Sequence, residues 1–281
     1  MTLIYLLVGI ALLAYFGLPL MIKSTLRINA RPVMALATST LLGDDVREYF
    51  DACAAKFEQL KFERVATFTI EQATPNVTSH VTLWMNRAAG QAAVANVMIS
   101  RSGDKPNQVK RYVEFLTRVR DGVSVTTNNS SELGAFKRTT HADSLSAQHV
   151  PDVAHLYRLH LWRDGQIAGL TAPRALPAPG SEMPWFADLF EESIKRQLDT
   201  GYLMFAGDGI YLPTVRGAYM MTWGQLFPMN AIRRGTEDKR AEAQIRNAAS
   251  IPFTPPGNVR VVLDSPRDGG GRTTPPMRKV A

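Results

Sequence analysis

The scarce reactive side chains of this chain of 281 residues are five histidines and one cysteine. His149, His155 and His160 cluster, but neighbours on one helix face fall three or four residues apart. Spacings of six and five residues therefore do not build a chelating pair. The sequence holds no HExxH motif and no second cysteine, so no metal ligand is assigned. Cys53 lies in a helical stretch, where a small buried thiol is the expected role. The chain lacks a GxSxG elbow, a glycine-rich phosphate loop followed by Lys-Ser/Thr, and a dinucleotide fingerprint. No catalytic residue and no cofactor are expected. What remains is one polar surface: Glu114, Arg118 and Arg120, with Ser124 and Thr126, form a possible ligand face for something small or anionic.

That surface needs strands to hold it. FERVATFTIEQ, SHVTLWMNR, AAVANVMIS, KRYVEFLTRVR and VSVTTN are five successive runs of period two, parted by turn signals such as Ala89-Gly90 and Asp121-Gly122. Short links make neighbours antiparallel, so a five-stranded meander is expected. Val81, Leu83 and Met85 share one face with Val113, Phe115, Thr117 and Val119, leaving Glu114, Arg118 and Arg120 on the other. Ahead of the meander, Val46, Phe50, Cys53, Ala54, Phe57 and Leu60 recur at helical spacing. A helix over 44–63 is therefore expected to pack across the apolar face, an α+β arrangement. In outline this resembles cystatin-like helix-on-sheet folds, a likeness that implies architecture and no particular function.

The flanks suggest location and partners. Leu3 to Ile22 carries no charge, and a helix of that length spans about 30 Å, the thickness of a bilayer core. The expectation is a single transmembrane anchor over 1–22 and a basic juxtamembrane linker over 23–43 with Lys23, Arg27 and Arg31. Those basic residues put the body in the cytoplasm. An α+β domain follows over 44–163, then a proline-rich linker over 164–183. A mainly helical subdomain over 184–249 and a flexible tail over 250–281 complete the chain. Net charge is +7, concentrated at the ends. Basic flanks around a neutral middle suit anionic lipid better than a nucleic-acid groove.

The helix at 184–200, the segments GYLMF and IYLPTVRGAYMM, and the Gly207-Asp208-Gly209 turn between them resemble the wing of a winged-helix DNA-binding domain. The likeness covers only this short stretch. Pro213 intrudes before Thr214, the helix that would read DNA carries Glu191-Glu192, and the proline-rich linker replaces the tight turn. Nucleic acid is accordingly not an expected partner. In RGAYMMTWGQLFPMNAIRR, 216–234, the residues Tyr219, Trp223 and Phe227 with Arg233 and Arg234 read either as core against the 184–200 helix or as a membrane or partner contact. Together these features point to a membrane-anchored binding or scaffolding protein, an accessory subunit of a membrane complex. The alternative is a membrane-tethered enzyme or small-ligand sensor using the polar sheet face.

Overall fold

A computed structural model describes residues 2–37, 42–74, 76–102, 105–119, 122–169, 172–250 and 260–264. In chain order the elements are α1 (Thr2–Thr25), β1 (Ile28–Asn29), β2 (Val33–Leu36), α2 (Asp44–Gln59), β3 (Glu63–Thr74), β4 (Val77–Asn86), β5 (Gln91–Ser102), β6 (Lys105–Arg118), β7 (Ser124–Asn128) and β8 (Ala142–Ser146). They continue as α3 (Val153–Ile167), β9 (Arg174–Pro177), α4 (Glu182–Asp199), β10 (Leu203–Gly207), β11 (Ile210–Pro213), α5 (Val215–Gln225), α6 (Met229–Ala249) and β12 (Val261–Asp264).

The protein is α+β, built on a seven-stranded sheet in the order β2-β3-β4-β5-β6-β7-β8. The five expected strands are β3 to β7, each antiparallel to the next. Two more extend the sheet: β2 lies antiparallel to β3, and β8 lies parallel to β7 after a long connection.

Both faces of this sheet are covered. On one, Phe57 of α2, Leu156 and Tyr157 of α3, and Ala241 of α6 pack over Trp84, Ala93, Ala95, Val113 and Phe115. On the other, Trp185 of α4 and Leu176 of β9 cover Val81, Leu83, Val94 and Leu116. Double burial explains why Val81 to Asn86 of β4 and Gln91 to Val97 of β5 are buried without a break, since a strand with two covered faces shows no alternation of exposure. It also corrects the expected face assignment. Register pairs Thr82 with Ala95 and Ala95 with Val113, whereas Leu83 pairs with Val94 and Val94 with Glu114. Val81, Leu83 and Met85 therefore share the face of Glu114, opposite Val113 and Phe115.

The expected transmembrane anchor is not supported: among the described residues no helix is long and apolar enough to cross a membrane. The single-pass membrane assignment, and the cytoplasmic orientation built on it, are withdrawn with it. Part of the apolar surface of α1 is used inside the fold instead. Tyr15 stacks on Trp223 of α5 with ring centroids 5.2 Å apart, and lies edge-on to Tyr219 at 5.8 Å. The chain then enters β1, whose buried Ile28 pairs with Tyr211 of β11 in a small β1-β11-β10 sheet. The stretch expected to be a basic linker thus contributes strands to two sheets.

Within 164–183 lies β9, all four residues buried, hydrogen-bonded in parallel to β12. The tail beyond Asp264 and the segment 251–259 lie outside the described residues. The β10–β11 hairpin closes through positive φ at Gly207, Asp208 and Gly209, as a tight turn requires. The apolar 216–234 stretch is two helices, α5 and α6, parted at Leu226–Pro228. Thr214 caps α5 by accepting from Gly217 N at 2.9 Å.

Gly90, in the β4–β5 turn, has φ +68 and a backbone so close to β9 that a Cβ there would sit 2.4 Å from Arg174 Cβ. Gly180 has φ +87 with nothing within 4 Å of its would-be Cβ. Gly180→Ala should cost about 1 kcal/mol, the backbone term alone. Gly90→Ala should cost about 2–4 kcal/mol because a core contact must also shift. Urea unfolding of the two variants checks this; equal losses would show that the Gly90–Arg174 approach is looser than described.

Candidate functional site

A cavity of about 430 Å³ opens between the β6–β8 end of the sheet and α4. Its floor follows from strand alternation: Glu114 and Leu116 of β6, Ser124, Thr126 and Asn128 of β7, and Ser144 and Ser146 of β8 share one face. Its roof is the α4 stripe Phe186, Leu189 and Phe190, with Ser193 and Gln197. The third wall is the 132–139 connection, which includes Leu133 and Phe136. That wall is pinned from three helices. Gln197 of α4 donates to Lys137 O at 3.0 Å, Gln225 of α5 donates to Leu133 O at 3.1 Å, and Arg233 of α6 donates to Gly134 O at 2.8 Å.

Most charges around the cavity are matched. Glu192 accepts from Arg118 at 2.8 Å and from Arg196 at 2.7 Å. Burial alone would push its carboxyl up, but the two arginines hold it below the ordinary glutamate value. Arg196 also donates to Gly122 O at 2.7 Å and His141 O at 3.1 Å. Glu237 pairs with Arg138 and accepts from Ser146 N at 3.0 Å.

Glu114 differs. Its described hydrogen bond comes from Asn128 Nδ2 at 3.5 Å, the long limit of such a contact. Burial pushes its carboxyl up to about 7, with Asn128 opposing the shift only in part. An acid poised this way can present either a neutral carboxyl or a carboxylate to whatever occupies the cavity.

Of the expected ligand-face residues, Glu114 lies on the cavity floor, Arg118 is tied to Glu192 at its edge, and Arg120 lies outside the described residues. Ser124 and Thr126 join Glu114 as read from the sequence. Asn128, Ser144, Ser146 and the α4 roof carry no such sequence signal: ADSLS is too short and polar to announce a strand, and apolar residues spaced along a helix do not distinguish a cavity roof from core.

The expected contact residues have different surroundings. Lys23 and Arg27 are exposed, whereas Arg31 forms ion pairs with Asp188, at 2.6 Å, and Glu191 of α4. Tyr219 and Trp223 pack on α1 rather than on α4, Arg233 bonds Gly224 O and Gly134 O, and Arg234 reaches Ser146 Oγ at 3.5 Å. Phe227 alone of these rings is largely open, 85% exposed.

His160 is fully enclosed between Thr117 Oγ1 at 3.0 Å and Thr127 Oγ1 at 3.1 Å. Burial, with Arg163 and Arg174 nearby, holds it neutral to well below the usual histidine range. Among the described residues no three His, Cys, Asp or Glu side chains are placed to hold a metal ion. Comparison with known proteins gave no match to a family model, to a curated protein or to a solved structure.

Glu114 makes stability depend on pH. Its unfolded carboxyl ionises near 4.5 and the folded one near 7, so the folded state holds the extra proton between these values. Its contribution therefore falls as pH rises from about 4.5 to 7 and is flat above. Glu114→Gln should match wild type near pH 4.5 and exceed it by about 3 kcal/mol at pH 8, read from urea midpoints. A variant difference that does not change with pH would place the carboxylate in a solvated or paired setting.

Proposed function

We propose that this chain is a binding module whose cavity above Glu114 takes a small molecule with an apolar body and a polar end. The observation that carries the reading is the combination in one 430 Å³ space of an apolar roof and a polar floor holding an under-bonded carboxyl. Small-molecule sites fall in the range of roughly 300–1,000 Å³ and join apolar walls to a few placed polar groups. The pinned 132–139 wall favours a site formed before the ligand arrives, which lowers the ordering cost of binding.

Ser193→Trp tests it. Ser193 is exposed on α4 at the cavity rim, so the substitution leaves the core alone while its ring fills the mouth. Fragments that raise the melting temperature of the wild type should lose that effect in the variant. Fragments that stabilise both proteins alike would bind elsewhere and defeat the reading.

A second reading, contact with a protein partner, is favoured by the apolar cluster at the α5–α6 junction. Leu226, Phe227, Met229 and Ile232 are exposed there, Phe227 and Ile232 at 85% and 57%. Monomeric proteins rarely leave such side chains grouped in water. Crosslinking in native cells should give a discrete adduct that Phe227→Ser abolishes; an adduct pattern unchanged by Phe227→Ser removes this surface from consideration.

A further inference from the structure

We infer that the cavity selects an organic amine, its ammonium on Glu114 and its apolar body under the α4 roof. The inference rests on the ligand-binding reading above and names the chemistry of that ligand.

Three observations lead to it. First, the arginines that border the cavity already have partners. Arg138 pairs with Glu237, Arg196 and Arg118 pair with Glu192, and Arg233 spends its donors on two carbonyls. The other basic lining residue, Lys137, is exposed on the 132–139 wall, so an anion passing it would have to displace the arginine contacts and would then meet Glu114.

Second, Glu114 has the opposite need. A carboxylate has room for about four hydrogen bonds, and the described one, from Asn128, is at 3.5 Å. Glu114 is half-buried at the cavity floor, and a partly desolvated carboxylate gains when a cation docks on it. Third, the floor supplies the rest of an ammonium's coordination. Register sets Glu114 opposite Asn128, and Thr126 and Ser144 opposite each other one alternation along the same face. An ammonium has three donors, so it can bond the carboxylate and still reach hydroxyl oxygens beside it. Leu116, Leu189 and Phe190 surround the remaining space and suit a hydrocarbon or aromatic tail.

The raised carboxyl of Glu114 adds a signature, since docking of a cation favours its ionised form and releases a proton near neutral pH.

The experiment is calorimetric titration of the full chain with 2-phenylethylamine and with 2-phenylethanol, of matching shape but without charge. At about pH 8 the amine should bind roughly tenfold or more tightly than the alcohol, a difference of about 1.4 kcal/mol. The gap should narrow at about pH 5.5, where Glu114 keeps its proton. Glu114→Gln should abolish the amine's preference over the alcohol. Equal binding of amine and alcohol by the wild type would overturn the amine assignment and leave the cavity reading standing. Amine preference that persists in Glu114→Gln would also overturn it, by placing the ammonium elsewhere. If neither probe binds while fragments blocked by Ser193→Trp do, the amine assignment fails and the cavity reading stands; if no such fragment exists either, the cavity reading fails as well.

Discussion

A single buried arginine positions much of this molecule. Arg163 of α3 has none of its side chain exposed. Its guanidinium donates to Thr126 O and, at 2.6 Å, to Thr127 Oγ1 of β7, and to Asp143 O at 3.2 Å together with the Asp143 carboxylate of β8. Arg240 of α6 reaches that same carboxylate at 2.6 Å and Ser144 O at 3.0 Å. Burial lowers the Arg163 pKa to about 10, opposed by Asp143, so the group stays charged at neutral pH. Such a network is not worth more than a well-packed apolar cluster, but losing one partner strands a charge in the core. Its use here is geometric. β8 is an edge strand, parallel to β7 and reached by a long connection, and this fork of hydrogen bonds holds it in register.

The cavity follows from that placement. Ser144 and Ser146 reach the floor because Asp143 and Leu145 point to the opposite face, where Asp143 meets Arg163 and Leu145 joins the core. A one-residue slip of β8 would exchange these roles and turn the serines toward the core face. A second buried pair, Arg174 with Asp164 at 3.0 Å, does similar work for β9 against α3. Arg174 also bonds Gly169 O at 2.8 Å, and the tight turn at Gly90 lies directly against its stem. Charged groups inside this fold are mostly satisfied by named partners, which is why the under-bonded carboxyl of Glu114 stands out.

Much of the fold was legible because its period is local. The runs that became β3 to β7 announce themselves by alternation and turns, and α2 by its repeat of Val46, Phe50, Cys53 and Phe57. The relation between strands was not legible. Whether Leu83 lies over Glu114 or over Phe115 depends on register, which passes from β4 to β6 through β5, and a parity error anywhere flips a face. β8 and β9 escaped notice because ADSLS and RALP are too short for a period, and their partners lie far along the chain. Glu114 was readable as a polar position on a strand, but its isolation was not, since that depends on which neighbours Arg118 and Arg138 choose. The apolar length of Leu3–Ile22 pointed to a membrane, whereas part of that helix packs against Tyr219 and Trp223, rings more than two hundred residues away.

The state of Glu114 is the point on which the functional account turns. Side-chain carboxyl chemical shifts of the full chain, labelled with carbon-13 at glutamate and assigned with Glu114→Gln, follow its ionisation directly. A midpoint near 7 is expected for an isolated carboxyl beneath the α4 roof. A midpoint near 4.5, that of an ordinary glutamate, would mean that water or a cation already satisfies it and would contradict the account.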